Sequence, residues 1–390
     1  MEKNTTEPTL DFTLNTEDAI KAWDALESPI KERLIPHLNT LKSKSILDDG
    51  AAMLIMNNRF YASWLTNLLL QLHSMQRPLS DHLDAIAPRA HVAKKLEFIL
   101  KKLVGLGCVM DNKLTNSVLS IKDVDAFDSL IDFWLQMKMF DQKSLSCFFD
   151  KKIAHIDSYV NCLKLLFKWH LNSDSVIEQL DNIAEPNLRT VDYCLHSLDT
   201  GGVLSQELWA ALIAHQDNSL QINEGLTLLN TCMDSALKPE HALTVIKAAE
   251  AAKAVAGSLA FLIKAGLDSS DLCEELLRTK AYSKAIEIVL FQLTRQHGAT
   301  HENIKYMFQV APMLIDPIIM SKLQSIPFFS PIPTKQFNEL FKQLLLLSPD
   351  APEGERKEAL LYCANILNLA DKPGGGSLGE RAPQSLFPSP

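Results

Sequence analysis

An apolar residue followed by a small polar one recurs every 30 to 33 positions along this chain. The pairs are Leu14-Asn15, Leu47-Asp48, Leu79-Ser80, Met110-Asp111, Phe140-Asp141, Leu171-Asn172, Leu204-Ser205, Leu237-Lys238, Leu267-Asp268, Ala299-Thr300 and Ile332-Pro333. The sequence numbers of successive pairs differ by 33, 32, 31, 30, 31, 33, 33, 30, 32 and 33. Nine of the eleven second positions are Asn, Asp, Ser or Thr, whose side-chain oxygens cap free N–H groups at a helix start. A steady period of this length marks stacked supersecondary units. It predicts an all-α protein, an α-solenoid of about eleven helical hairpins with a period near 32.

Each unit reads as a short first helix, a break and a longer second helix. In the seventh unit Ser205 caps a helix from Gln206 to His215, with Leu208, Trp209, Leu212 and Ile213 as its apolar stripe. Gln216-Asp217-Asn218 breaks the chain, and Ile222, Leu226, Leu229 and Met233 share a face of the helix that follows. The eighth unit repeats the pattern with Ala242, Leu243 and Ile246, then Val255, Leu259 and Leu262. The ninth has Leu272, Leu276 and Leu277, then Ala285, Ile288, Val289, Phe291 and Leu293. Glycines that can close helix C-termini precede the caps at Gly105, Gly107, Gly201, Gly202, Gly266 and Gly298. Pro29, Pro88, Pro186 and Pro352 suit the first turn of second helices. Pro36, Pro312 and Pro317 fall inside second helices and predict kinks in units one and ten.

A solenoid escapes the size limit of a single core, because each unit packs only on its neighbours. The apolar fraction of 47% supports a continuous core. The net charge of −9 argues against a nucleic-acid partner, which requires a basic footprint. The seven cysteines form no CxxC pair, and so read as reduced, mostly buried thiols. The stretch beginning Met1-Glu2-Lys3-Asn4 has no apolar core, which predicts no signal peptide. The most apolar segment, 242–266, carries Lys247, Glu250, Lys253 and Lys264 and is too charged to span a membrane. The expected organisation is an N-terminal arm over 1–13, the solenoid over 14–370 and a disordered tail over 371–390 that opens on Gly374-Gly375-Gly376.

Two stretches carry a resemblance. Leu204-Ser205-Gln206-Glu207 with His215 closing the helix, and Ala299-Thr300-His301-Glu302-Asn303-Ile304, resemble helical repeats of effectors that intracellular bacteria deliver through type IVB (Dot/Icm-type) secretion. The resemblance covers the rhythm of the whole chain and the letters of these two units. It implies a protein secreted into the host-cell cytoplasm to act on a host protein, with Leu386 and Phe387 in a C-terminal secretion signal; the bacterial cytoplasm is the alternative location.

No motif of catalysis, cofactor binding or metal ligation is found. The glycine run follows no strand and so reads as a linker rather than a phosphate loop. His297 and His301 are separated by a turn, and His73, His82 and His91 straddle a repeat boundary, so neither set predicts a metal site. Cys162 and His170 lie about 12 Å apart along one helix, too far for a nucleophile and its base. Lys94, Lys95, Lys101 and Lys102 could form an anionic-partner or acidic-lipid patch, or the solvated face of an amphipathic helix. Asp125, Asp128 and Asp132, one unit later, could pair with it. Phe127, Phe133, Trp134, Phe140, Phe148, Phe149, Phe167 and Trp169 read as core aromatics.

The expected function is therefore a non-enzymatic protein-interaction scaffold with no catalytic, cofactor or metal residues. Two alternatives stand beside it: an enzyme whose site is assembled from several repeats, and a membrane-surface scaffold. The core assignment is testable directly. Leu262→Ala and Leu276→Ala should each cost about 2–5 kcal/mol in chemical denaturation, and a loss within error of zero would place either residue at the surface.

Overall fold

The computed structural model describes residues 13–150, 155–232, 237–295, 299–317, 319–321 and 339–344, with positions 354, 357–358, 361–363 and 365. The expected arm over 1–13 apart from Thr13, the tail over 371–390, Met233, His297, Gly298, Ile332-Pro333 and Pro352 lie outside the described residues. Those residues are all-α, with nineteen α-helices up to Leu314 joined by turns and short 3₁₀ segments, further helical residues at 339–344, and no strand among them.

The chain divides into two compact units, Met1–Asn161 and Cys162–Pro390. The first holds α1 (Glu17–Asp24), α2 (Ser28–Ser43), α3 (Asp49–Asn57), α4 (Ala62–Ser74), α5 (Leu83–Ile86), α6 (Ala93–Gly105), α7 (Asn112–Leu119), α8 (Val124–Gln136) and α9 (Gln142–Asp150). The division falls within α10 (Ile156–Lys168). The second holds α11 (Asp174–Asp181), α12 (Glu185–Thr200), α13 (Gln206–Ala214), α14 (Ser219–Cys232), α15 (Pro239–Ala248), α16 (Ala252–Lys264), α17 (Ser270–Arg278), α18 (Ser283–Arg295) and α19 (His301–Leu314).

Short and long helices alternate. The odd-numbered helices from α1 to α17 have 8 to 10 residues, except α5 with 4, and the even-numbered ones have 13 to 16. Packing follows this alternation in both units. In the first, α2, α4, α6 and α8 pack in succession, as do α1, α3, α5, α7 and α9. In the second, α12, α14, α16 and α18 form one row, and α13, α15, α17 and α19 the other.

The long helices pack because each buries the same stripe. Leu34, Leu38 and Leu41 of α2 are buried at i, i+4 and i+7, and Leu65, Leu69 and Leu72 of α4 repeat the spacing. The central position of the stripe is Leu38, Leu69, Leu100, Ile131, Leu163, Leu195, Leu226, Leu259 and Leu290 in α2 to α18, and every one is fully buried. Full burial of one such side chain is worth about 1.5–3 kcal/mol before entropy is counted.

The long helices also end alike. Ser45, Gln76, Gly107, Lys138, His170, Gly202 and Gly266, each two positions past a helix end, adopt the left-handed conformation. The N–H of the next residue then reaches back to a carbonyl in the last turn: Ile46 to Leu41, Arg77 to Leu72, Cys108 to Leu103, Met139 to Trp134, Leu171 to Leu166, Val203 to Leu198 and Leu267 to Leu262. This closed loop satisfies the orphan carbonyls of the helix end and turns the chain into the following short helix.

The expected caps form at Asp48, Asp111, Asp141, Ser205 and Thr300, whose side chains accept from backbone N–H groups at i+3. Elsewhere the expectation needs correcting. Thr16 rather than Asn15 caps α1, and Ser173 and Ser269 occupy the cap positions before α11 and α17. Ser80 caps no α-helix, since a 3₁₀ turn from Leu79 to Asp81 precedes the single-turn α5. Pro88, which has no N–H, keeps the chain in a second 3₁₀ segment until α6 begins. Among the described residues, the stretch 79–92 therefore departs from the alternation of short and long helices. α2 runs through Pro36, whose ring sits at an exposed position.

Two backbone features yield predictions. A Cβ on Gly225 of α14 would lie 2.8 Å from the Ala252 carbonyl oxygen and 2.8 Å from Val245 Cγ1, so glycine permits the close approach of α14 to α16. Gly225→Ala should destabilise by about 1–3 kcal/mol despite its better helix propensity. Ala249, between α15 and α16, has φ 55° and ψ −114°, a conformation suited to glycine. Ala249→Gly should raise the melting temperature, and a lower one would show that the strain is absent.

Candidate functional site

The four lysines singled out in the sequence lie on α6, and three of them are already engaged. Lys95 pairs with Asp125 of α8. Lys102 lies 2.6 Å from Asp128 and 2.6 Å from Asp132. Partial burial would lower the Lys102 pKa, but the two carboxylates outweigh it and raise it above the ordinary lysine value. Lys101 pairs with Glu97 on its own helix. The acidic run does meet the basic run, and little uncompensated positive charge remains for an acidic lipid surface.

A cleft of about 420 Å³ lies over this α6–α8 seam, lined by Phe98, Ile99 and Val124 between lysines of α6 and Asp125 and Asp128 of α8. Phe98 is 56% exposed, with the Lys102 ammonium 5.8 Å from its ring centre. A cue to its exposure was present in the spacing. Lys94, Phe98 and Lys101 stand at i, i+4 and i+7, on the face opposite the buried Leu96, Leu100 and Leu103. The first unit exposes other rings that the sequence reading passed over. Phe60 is 77% exposed beneath the Arg59 guanidinium, and the Trp64 ring lies tilted at 5.5 Å from Tyr61.

Of the aromatic set, Phe127, Phe133, Trp134 and Phe148 are buried in the core, while Phe140, Phe149, Phe167 and Trp169 are half-buried. Phe127 contacts Phe148 and Phe149, while Trp134 contacts Phe140 and Phe148, the latter edge-on at 5.7 Å. Trp169 Nε1 donates to Asp199 at 2.7 Å.

The histidines do not converge. His82 is fully buried with Nδ1 2.7 Å from Asn116 Oδ1, whereas His73 and His91 are exposed. His301 is 3.3 Å from Asp271. Cys162 is fully buried, and burial pushes its thiol well above the ordinary value, while His170 is exposed in the turn after α10. These two form no nucleophile and base. The described cysteines are free thiols, and Cys162, Cys194, Cys273 and Cys363 are buried.

A polar cluster that the sequence reading missed joins α15 to α17. Lys238, which broke the capping pattern, reaches Asp268 at 2.6 Å. Asp268, which does not cap, also lies 3.2 Å from Nε2 of the fully buried His241. Burial lowers the His241 pKa, Asp268 and Glu240 act to raise it, and Lys238 adds to the lowering. Asp271 is held at about 2 by the Ser269 hydroxyl and Lys305. No group of three or more His, Cys, Asp or Glu side chains able to hold a metal ion occurs among the described residues, and no described helix is long and apolar enough to cross a membrane.

Comparison with known protein families, with curated proteins and with solved structures yields no match.

The His241 environment gives a pH prediction. A histidine with a lowered folded pKa binds fewer protons folded than unfolded. Stability should therefore fall as the pH drops below the unfolded value of 6.5. The window lies above that of Asp271, whose depressed pKa acts only below 3.8. Melting temperatures between pH 7 and pH 5 should fall more steeply in the native protein than in His241→Gln; equal slopes would show that His241 is not the titrating group.

Proposed function

We propose that each unit is a stacked array of helical hairpins, and that the chain, an α-solenoid of about eleven such hairpins, is a non-enzymatic protein-interaction scaffold. The observation that carries the reading is the spacing of the buried stripe. From Leu38 to Leu290, the sequence numbers of its successive central positions differ by 31, 31, 31, 32, 32, 31, 33 and 31. Those of the left-handed positions from Ser45 to Gly266 differ by 31, 31, 31, 32, 32 and 64. Polar contacts keep the same interval. Asp49 accepts from the Asn15 N–H, Gln142 from Val109, Gln179 from Trp209 and Asp268 from Lys238, each about one repeat apart in the chain.

Stacking of this kind uses one side of each long helix for the neighbour and leaves the other side as extended surface. On the first unit Trp64 of α4 and Phe98 of α6 are exposed, as is Phe60 in the 3₁₀ segment before α4, rings of the type that anchor protein interfaces. The pairing of Lys95, Lys101 and Lys102 with carboxylates favours a protein partner over an acidic membrane. The resemblance of the Ser205 and Thr300 units to type IVB effector repeats supports delivery into a host cell and a host protein as that partner.

Two experiments test the reading. Proximity labelling in host cells should return a defined partner that is lost with Phe60→Ser/Trp64→Ser, while the far-ultraviolet spectrum of the variant stays helical. A partner retained at full yield would remove these rings from the interface. A reporter fusion should enter host cells from bacteria with an intact type IVB apparatus and not from a transport-deficient strain; equal entry from both would end the effector reading.

A further inference from the structure

We propose that the α6–α8 cleft receives a second copy of this chain, face to face across a two-fold axis. The inference goes beyond the scaffold reading, since it names the chain itself as an occupant of one surface.

The argument rests on how charge is divided across the cleft. One wall is α6, with Lys94, Lys95 and Lys101, and the other is α8, with Asp125 and Asp128; the Lys102–Asp132 pair joins the same two helices. Glu97 on the α6 wall brings the sum to three positive and three negative charges, in a chain whose net charge is −9. A patch of one sign selects a partner of the other sign. A neutral patch split into a basic half and an acidic half is complementary to itself. Rotation by a half-turn about an axis through the cleft lays α6 of one copy over α8 of the other, and the reciprocal contact follows by symmetry.

The side chains are disposed for this. Lys95 and Lys102 are occupied by the α8 carboxylates within one copy. Lys94 and Lys101 flank Phe98 on the outer face of α6, with Lys101 58% exposed. Asp125 and Asp132 are 75% and 65% exposed, so their carboxylates face solvent while they hold the lysines beneath. Phe98 lies between the two rows, where a two-fold brings it towards its symmetry mate and removes its ring from water. A contact centred on so small a cleft falls at the low end of the interface range, below about 1,200 Å² in total. The dimer should therefore be weak and concentration-dependent.

Sedimentation velocity on the full chain over a concentration series at about 0.1 M salt, where charges more than about 10 Å apart are largely screened, tests the proposal. The native protein should pass from monomer to dimer as concentration rises. Phe98→Ser, and separately Lys94→Glu/Lys101→Glu, should weaken the association by about tenfold or more. All of these positions are exposed, and circular dichroism should show unchanged helix. The decisive arm mixes two variants. Lys94→Glu/Lys101→Glu makes both walls acidic, and Asp125→Lys/Asp132→Lys makes both basic. Each should be monomeric alone, and the mixture should form a heterodimer. A native chain that stays monomeric at its highest soluble concentration would overturn the proposal. So would a dimer that survives every substitution, or a mixture that does not associate. None of these results bears on the labelling experiment above, which reads different residues.

Discussion

Everything in this fold depends on one repeated burial: the i, i+4, i+7 stripe of each long helix against the neighbouring long helices of its unit. The central residue is fully buried in all nine of these helices, and it is leucine in eight and isoleucine in one. Helices as short as α4 and α6 are marginal alone in water, so this packing rather than intrinsic propensity must hold them. The end of the stripe also sets the exit of the chain. Leu41, Leu72, Leu103, Leu166, Leu198 and Leu262 each bury a side chain while their carbonyls accept the N–H that closes the turn. Core and turn are thus specified by the same residue, and a change there would disturb both.

The polar residues do a different job. Exposed ion pairs such as Lys95–Asp125 or Lys238–Asp268 contribute only ~0–1 kcal/mol each. Their spacing matters more than their energy. A side chain bonded to its counterpart in the next hairpin discriminates against a slipped register, since slippage leaves both partners unpaired. Where the polar partner is buried the stake is higher. The fully buried Trp209 donates through Nε1 to Oε1 of the exposed Gln179 at 2.7 Å, and loss of that acceptor would leave the indole donor without its protein partner.

Much of this was legible in the sequence, and the failures have physical causes. The cap residues at Asp48, Asp111, Ser205 and Thr300 marked helix starts because capping is local chemistry. The leucine stripe is a steadier marker than the caps, yet a cap-first reading underweights it. Lys238 looked like an exception and Asp268 like an ordinary cap, because their roles depend on which helix lies alongside, and a neighbour 30 positions away in the chain is invisible to a local pattern. Phe98 was legible in principle, since it sits off the buried stripe and between lysines. His241 was not, because its burial and its Asp268 contact arise only from the packing of α15 with α17.

The central claim is that stability within a unit is a matter of neighbours. Hydrogen exchange resolved by residue, comparing the native chain with Leu226→Ala in α14, tests it most directly. The stacked account predicts the largest loss of protection in α12, α14 and α16, which share that contact, with the effect fading by α19. An equal loss across every helix of the second unit would show a single cooperative core and contradict it.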